Sequence, residues 1–310
     1  MKKINKSSTV KILIASLVFG LAGAAMSTPL VHAAQPTVNL ATAAPFAILA
    51  GTPAISDTGS SVIKGNVGMS PKAGSGVTGL LCAQVTGTIY AVDATGNACF
   101  TVNGPLLVTA KNDLTTAYTD AAGRIPANTV ATELGGTTKR AGVYISGATN
   151  FQISNVGPLV LDGQGDPSSV FIFNAPLSAP GLTVGPGSTV SLINGAQACN
   201  VFWRVDSAAI DTTAVFKGNV LALNSITVNN GANIEGRLLA RNGQVTLNND
   251  TITVPTCTTP SGGSDSTTPG LPNTGFGSNS TSGMLTVIGI AALIAVISSI
   301  SLFIVRKQRA

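Results

Sequence analysis

Between Val170 and Val254 the apolar and β-branched residues come in short runs, among them Val170–Phe173, Leu182–Val184, Thr189–Ile193, Asn200–Val205, Asn219–Leu223, Ile226–Val228, Arg237–Ala240, Val245–Leu247 and Thr251–Val254. Each run has the residue types of a strand but is too short for an ordinary independent sheet, and Gly-Asn or Asn-Gly pairs between runs supply corners that need positive φ. The pattern of Gly218-Asn219-Val220-Leu221-Ala222 recurs as Gly236-Arg237-Leu238-Leu239-Ala240, and each is followed by a Thr-bearing run, Ile226–Val228 or Val245–Leu247. A short period with several small strands per unit predicts a β-helix, in which each coil buries its apolar face by stacking on the next. The competing architecture, a β-sandwich, requires longer strands and fewer glycine corners.

One segment breaks this pattern. From Val108 to Gly123, Leu114, Ala117, Tyr118 and Ala121 fall at i, i+3, i+4 and i+7, one stripe of a helix. Asn112 or Thr109 is placed to cap its start, and Gly123 with Pro126 to stop it. Its alanines suit it to bracing one face of the solenoid. A second irregularity is a near-verbatim repetition, Val62-Ile63-Lys64-Gly65-Asn66-Val67 against Val215-Phe216-Lys217-Gly218-Asn219-Val220. With valines and Phe216 packing inward, a glycine at the corner and the lysines in solvent, the two phrases read as rungs of one interrupted β-helix, separated by an insertion and the helix.

The ends of the chain differ from this body. Residues 1–34 carry Lys2, Lys3, Lys6 and Lys11, then an apolar run from Ile12 to Ala25 and small residues around His32, the pattern of an export signal cleaved after Ala33 or Ala34. Residues 284–305 are uncharged and apolar, long enough to cross a bilayer as a transmembrane helix, with a basic cytoplasmic tail at 306–310. Residues 256–283 are rich in Thr, Ser, Gly and Pro, the composition of a flexible linker. Within it, Leu271-Pro272-Asn273-Thr274-Gly275 precedes the apolar run and basic tail, an order that resembles the sortase sorting signal of Gram-positive-type bacteria. That resemblance implies cleavage between Thr274 and Gly275 and attachment of Thr274 to the cell envelope; retention by the membrane helix is the alternative. Residues 35–255 remain as one folded domain.

Charge and cysteine content narrow the function. Seven of the 17 basic residues lie in the two end segments, which hold none of the 12 acidic ones, so the exported part is slightly acidic and nucleic acid is not an expected partner. Cys82, Cys99, Cys199 and Cys257 all lie beyond the export signal, which points to disulfides with three formal pairings. A Cys82–Cys99 pair makes a local clamp, and a Cys199–Cys257 pair fastens the last strand to the body. The only histidine, His32, belongs to the signal, and the cysteines have no ligand-like spacing, so neither a metal nor another cofactor is expected.

Taken in order, FAILAGTPAISDTGSSVIKGNVG, LTTAYTDAAG, GVYISGATN, VFIFNAPL and the block from Asn194 to Leu247 resemble the bacterial, fungal and algal ice-binding protein family. The resemblance covers about residues 40–254. It implies a mainly β fold, a discontinuous right-handed β-helix of triangular section with a long α-helix alongside, in which an early segment enters the stack, an insertion interrupts it, and the chain then completes the coils.

An enzyme is not expected: GxSxG, HExxH and P-loop patterns are missing, and the acidic residues are scattered. Glu235 beside Arg237 and near Arg241 is the most suggestive trio, and it reads as an ion pair at a coil corner. The ice-binding resemblance implies a rigid face of short, mildly polar groups. Threonine fits because its methyl is apolar, its hydroxyl can join a water layer and its branching fixes the rotamer. The candidates are Thr183, Thr189, Ser191, Ser225, Thr227, Thr246 and Thr253, with an ice surface as partner. Family members carry Thr-x-Thr or Thr-Ala/Gly-x-Thr/Asn steps, which here are interrupted by Asn219, Ala222 and Arg237. The alternative is a cell-wall-anchored adhesin that holds a polysaccharide or another cell on the solenoid.

Overall fold

The short repeat seen in the sequence is one turn of a coil. Val215–Ala222 and Asn233–Ala240 pair in parallel along their full length, Val215 with Asn233 through Ala222 with Ala240. The computed structural model describes residues 35–258 apart from 149 and 176–180. The proposed export signal, the LPNTG motif, the transmembrane run and the basic tail lie outside these residues, as does nearly all of the linker. Among the described residues no helix is long and apolar enough to cross a membrane.

Every pairing between named strands is parallel, and successive strands of the chain step between three sheets. One face of the β-helix runs from Thr101–Val102 through Phe46–Ala50 to Ala127–Val130 and is covered by the helix. A second, called the flat face for its seven strands in one unbroken parallel order, contains Phe151–Ile153, Gly181–Val184, Ser207–Ile210, Ile226–Val228, Val245–Leu247, Ile55–Asp57 and Val77–Thr78. A third face is made by Thr138–Arg140, Leu159–Asp162 and Val190–Ile193, and continues through the first halves of the two long strands to Thr251–Thr253 and Val62–Lys64. The two long strands therefore serve two faces each, where separate short runs were expected. They turn the corner at Gly218 and Gly236, and Gly218 has φ +114°, a conformation other residues rarely adopt.

The stack is discontinuous in sequence. Residues 46–64 form a coil that sits directly on residues 233–253, with Ile48 beside Leu238, Ser56 beside Thr246 and Ile63 beside Ile252. The repeated phrases are explained by this arrangement: Val215, Asn233, Thr251 and Val62 occupy one register, so VFKGNV and VIKGNV meet the same corner three coils apart. Ile63, Phe216, Val67 and Val220 point inward, whereas Val62 is exposed, a correction to the inward role expected of it. Lys64 is exposed, and Lys217 pairs with Glu235 at 2.7 Å.

The interior is laid down in columns. Tyr144, Phe173 and Trp203 stack in register, with ring centroids 5.2 Å and 4.1 Å apart, and Val220, Leu238 and Ile48 continue the column. The corner opposite the helix is equally regular: Thr213, Gly231 and Asn249, at the same place in successive coils, all have positive φ.

The helix spans Gly104–Gly123, one turn longer than expected, because Asn103 rather than Asn112 or Thr109 caps it, its side chain accepting from the Leu106 N–H at 3.1 Å. Pro105, fixed at a helical φ with no N–H to satisfy, suits the first turn. Leu107, Ala110, Leu114, Ala117, Tyr118 and Ala121 are buried against Phe46, Leu49, Phe202, Leu221 and Leu239. Each leucine so buried contributes about 1.5–3 kcal/mol. The alanines admit the close approach that the sequence suggested.

Candidate functional site

With one face under the helix, two remain open, and their outward side chains differ in kind. On the flat face the outward positions fall in register as Gln152, Thr183, Ala209, Thr227, Thr246, Ser56 and Thr78. Their neighbours in each strand, such as Leu182 and Val184 or Ile226 and Val228, are buried, so the alternation fixes these side chains outward. Two residues further on, Asp211, Asn229, Asn248 and Thr58 form a second column, tied together by backbone hydrogen bonds such as Asn229 N–H to Ile210 O at 2.8 Å and Thr58 N–H to Leu247 O at 3.0 Å. The flat face thus carries Thr-Val-Asn, Thr-Leu-Asn and Ser-Asp-Thr steps on adjacent coils.

Coil stacking spaces these groups by about 4.8 Å in one direction and by about 6.7 Å, two residues, along the strands. The result is a two-dimensional grid of hydroxyls, methyls and amides on a rigid backbone. Among the described residues the hydroxyls of Thr183 and Thr227 have no protein partner, and Ser56 Oγ lies 3.5 Å from Thr246 Oγ1. The one charge in the two columns is Asp211, at the edge; its carboxyl is held below the usual range by the Thr212 N–H and the Asn229 amide, the latter donating at 3.1 Å.

Of the residues singled out in the sequence, Thr183, Thr227 and Thr246 share the central column. Ser225 lies on the same sheet at the corner just before its strand. Thr189, Ser191 and Thr253 belong to the third face, where the register through Ser191 also contains Val160 and continues through Lys217, Glu235, Thr253 and Lys64. The interruptions expected at Asn219, Ala222 and Arg237 are not on the flat face at all. All three are buried on the strands beneath the helix, Arg237 donating to Ala44 O and to Asn219 Oδ1, both at 2.7 Å. Burial alone pulls the Arg237 guanidinium down to about 10. Glu235 pairs with Lys217 and not with Arg237, which lies past the Gly236 corner on the next face.

Ser56, Thr78, Ala209 and the second column were missed. Their signal was the recurrence of Thr-x-Asn at 227–229 and 246–248, a spacing slightly longer than that of the glycine corners before it, because the turn length varies between coils. Among the described residues no group of three or more His, Cys, Asp or Glu is placed to hold a metal ion. Both cysteine pairs, Cys82–Cys99 and Cys199–Cys257, are disulfides.

A family model described as ice-binding-like matches residues 48–253. A protein named ice-binding protein from Flavobacterium frigoris (strain PS1) is 38% identical over 222 residues, 70% of this chain and 76% of that one. Another, from Colwellia sp, is 39% identical over 232 residues, 73% of this chain and 87% of its own. Among solved structures, an ice-binding protein from an Antarctic biological consortium superposes with a TM-score of 0.64 at 37% identity, covering 74% of this chain and 97% of that chain. An Arctic yeast ice-binding protein, whose structure was described as the basis of antifreeze activity, gives a TM-score of 0.62 at 29% identity over 72% of this chain and 96% of its own.

Proposed function

Because the chain belongs to the ice-binding-like family, whose model spans most of its folded domain, we propose that it binds ice through the flat face. The observation that carries this reading is the two-column grid of Thr183, Thr227, Thr246, Ser56, Asn229, Asn248 and Thr58, free of lysine and arginine and built on fixed coil spacing. Liquid water solvates a charged, mobile surface better than an ordered layer can, so a surface of methyls and single hydroxyls at constant spacing lowers the cost of holding water in a lattice. Branched threonine loses little rotamer entropy when ice forms against it. The third face, with Lys217, Glu235 and Lys64 in its central register, lacks that uniformity.

The coils are read as right-handed, following the family. The rest of the reading concerns display. Residues 1–34 export the chain, the LPNTG motif at 271–275 hands it to a sortase, and the covalent link to the cell envelope replaces the membrane helix at 284–305. The protein then holds ice, or limits its recrystallisation, at the cell surface. Replacing Thr274 by Ala should move the protein from the wall fraction to the membrane fraction; an unchanged distribution sinks the sortase step.

The ice assignment is tested on the purified exported chain by crystal growth and recrystallisation. Thr227→Tyr and Thr246→Tyr should each reduce activity at least tenfold with little change in melting temperature, whereas Thr253→Tyr on the third face should leave it intact. If the wild-type chain leaves ice unaffected at micromolar concentration and binds glycans or cells instead, the adhesin reading replaces this one.

A further inference from the structure

We infer that residues 254–258 form a strap that transfers the load of the C-terminal tether from the last strand to the middle of the stack, at the corner opposite the flat face. The inference rests on reading residues 256–283 as a tether. Its starting point is the position of the last strand, Thr251–Thr253. That strand is not at an end of the β-helix: it lies between Asn233–Glu235 and Val62–Lys64. It therefore forms part of the seam that joins the N-terminal coil to the rest. Three residues pulled out of that seam would open the core at its one junction between distant parts of the chain.

The chain does not leave from there. Val254 N–H donates to Lys64 O at 2.9 Å, and Pro255 is buried. Cys257 is joined to Cys199, and Thr258 is gripped by Gln197. The Gln197 carbonyl oxygen accepts from the Thr258 N–H at 2.6 Å and its hydroxyl at 2.9 Å, while the Gln197 amide donates to Thr258 O at 2.9 Å. The same amide donates to Pro167 O at 2.8 Å, which ties the grip to the neighbouring coil.

Position decides the second half of the inference. The coil path runs from the helix-covered face to the flat face, then to the third face and back. Residues 194–200 lie between Val190–Ile193 on the third face and Val201–Val205 on the helix-covered face. In the next coils a single glycine, Gly218 or Gly236, makes this same corner. The strap thus ends at the one corner of the three that does not border the flat face. The other described end of the chain is there too, with Thr37 Oγ1 donating to Asn200 Oδ1 at 3.0 Å. A tether leaving from this corner starts clear of the flat face and leaves that face uncovered at its point of exit.

The test pulls the exported chain between handles at its two ends. In the wild type, no extension should precede global unfolding. In the Cys199→Ser/Cys257→Ser variant, a first step of about 25 Å, the length of residues 251–257 drawn straight, should appear at roughly half the force or less, since only hydrogen bonds and the packing of Ile252 and Pro255, with no covalent link, now resist. Reducing the folded wild type in place repeats the measurement without any dependence on the variant's folding. A first step at the same force with and without the disulfide overturns the strap. For the orientation, beads carrying the protein through its C-terminal tether are offered to ice after deletion of residues 261–268. Undiminished capture is expected. Loss of capture on shortening, with the full tether still capturing, overturns the placement. If the full tether captures none, the ice reading fails while the pulling result still decides the strap.

Discussion

Ser56 and Thr246 are far apart in the chain and adjacent on the flat face, their hydroxyl oxygens 3.5 Å from each other. The contact exists only because the N-terminal coil stacks on the last one, so the central column of the flat face is assembled from both ends of the folded domain. The same column is broken at one place, Ala209, between Thr183 and Thr227. Ala209 is half-exposed on a parallel strand, where a β-branched side chain is favoured and has room to point outward. Ala209→Thr should complete four consecutive threonines and raise recrystallisation inhibition by about twofold or more, with stability changed by less than about 0.5 kcal/mol. An unchanged endpoint concentration would mean that the ice contact stops short of this coil.

How much of this was legible in the sequence depends on distance along the chain. The coil repeat, its glycine corners, the apolar stripe of the helix and the two disulfides are local signals or simple pairings, and the structure contains all of them. The export and anchoring segments were equally local but lie outside the described residues. Which threonines share a face was not legible, because Thr253 and Thr246 have the same strand preference and similar neighbours; only the register against Lys217, Glu235 and Lys64 separates them. Arg237 misled for a related reason. A charged residue in a strand reads as outward to solvent, yet here the segment that ends at Ala44 lies over it and accepts its hydrogen bond.

The seam between the N-terminal coil and the last one is held by inward-facing side chains, among them Ile48 and Leu238, both fully buried and paired in register. Ile48→Ala removes methyl groups that the neighbouring coils cannot replace and should cost about 2–5 kcal/mol. If the seam is part of one cooperative unit, chemical denaturation of this variant stays a single transition with a lower midpoint. Two separated transitions would show that residues 46–102 and 127–253 fold as independent bodies.

Acid should stabilise one corner of this protein. Asp250 is buried, accepts hydrogen bonds from the Ala232 and Asn248 N–H groups, and sits near Asp57; burial, with a smaller contribution from Asp57, pushes its carboxyl up to about 6. The unfolded value is about 3.9, so between about pH 4 and 6 the folded state binds the extra proton. Stability from this group is therefore greatest below pH 4 and declines as pH rises to about 6, by about 1–2 kcal/mol after solvent screening. Melting temperature measured from pH 4 to 7 should show that decline, and Asp250→Asn should remove it while lowering the whole curve. A rise over the same window would mean that the backbone donors outweigh burial.

At alkaline pH the helix contact should tighten. Lys111 lies between helix and sheet, its ammonium donating to Ala240 O at 2.6 Å, and burial together with the nearby Arg241 guanidinium brings it down to about 7. Arg241 and Arg204 also sit over the Tyr118 ring, 4.9 Å and 4.4 Å from its centre, so this side of the helix gathers cations with no carboxylate bonded to Lys111. An unfolded lysine titrates near about 10.4. The unfolded chain thus holds more protons between about pH 7 and 10, and stability must rise with pH across that window. The expected increase in melting temperature is roughly 6–12 °C between pH 7 and 9.5. Lys111→Met keeps the packed stem, discards the charge and the hydrogen bond, and should flatten the profile while leaving stability at pH 7 near the wild-type value. If the variant instead loses stability at pH 7 and retains the slope, Lys111 is a net clamp on the helix and the alkaline gain has another source.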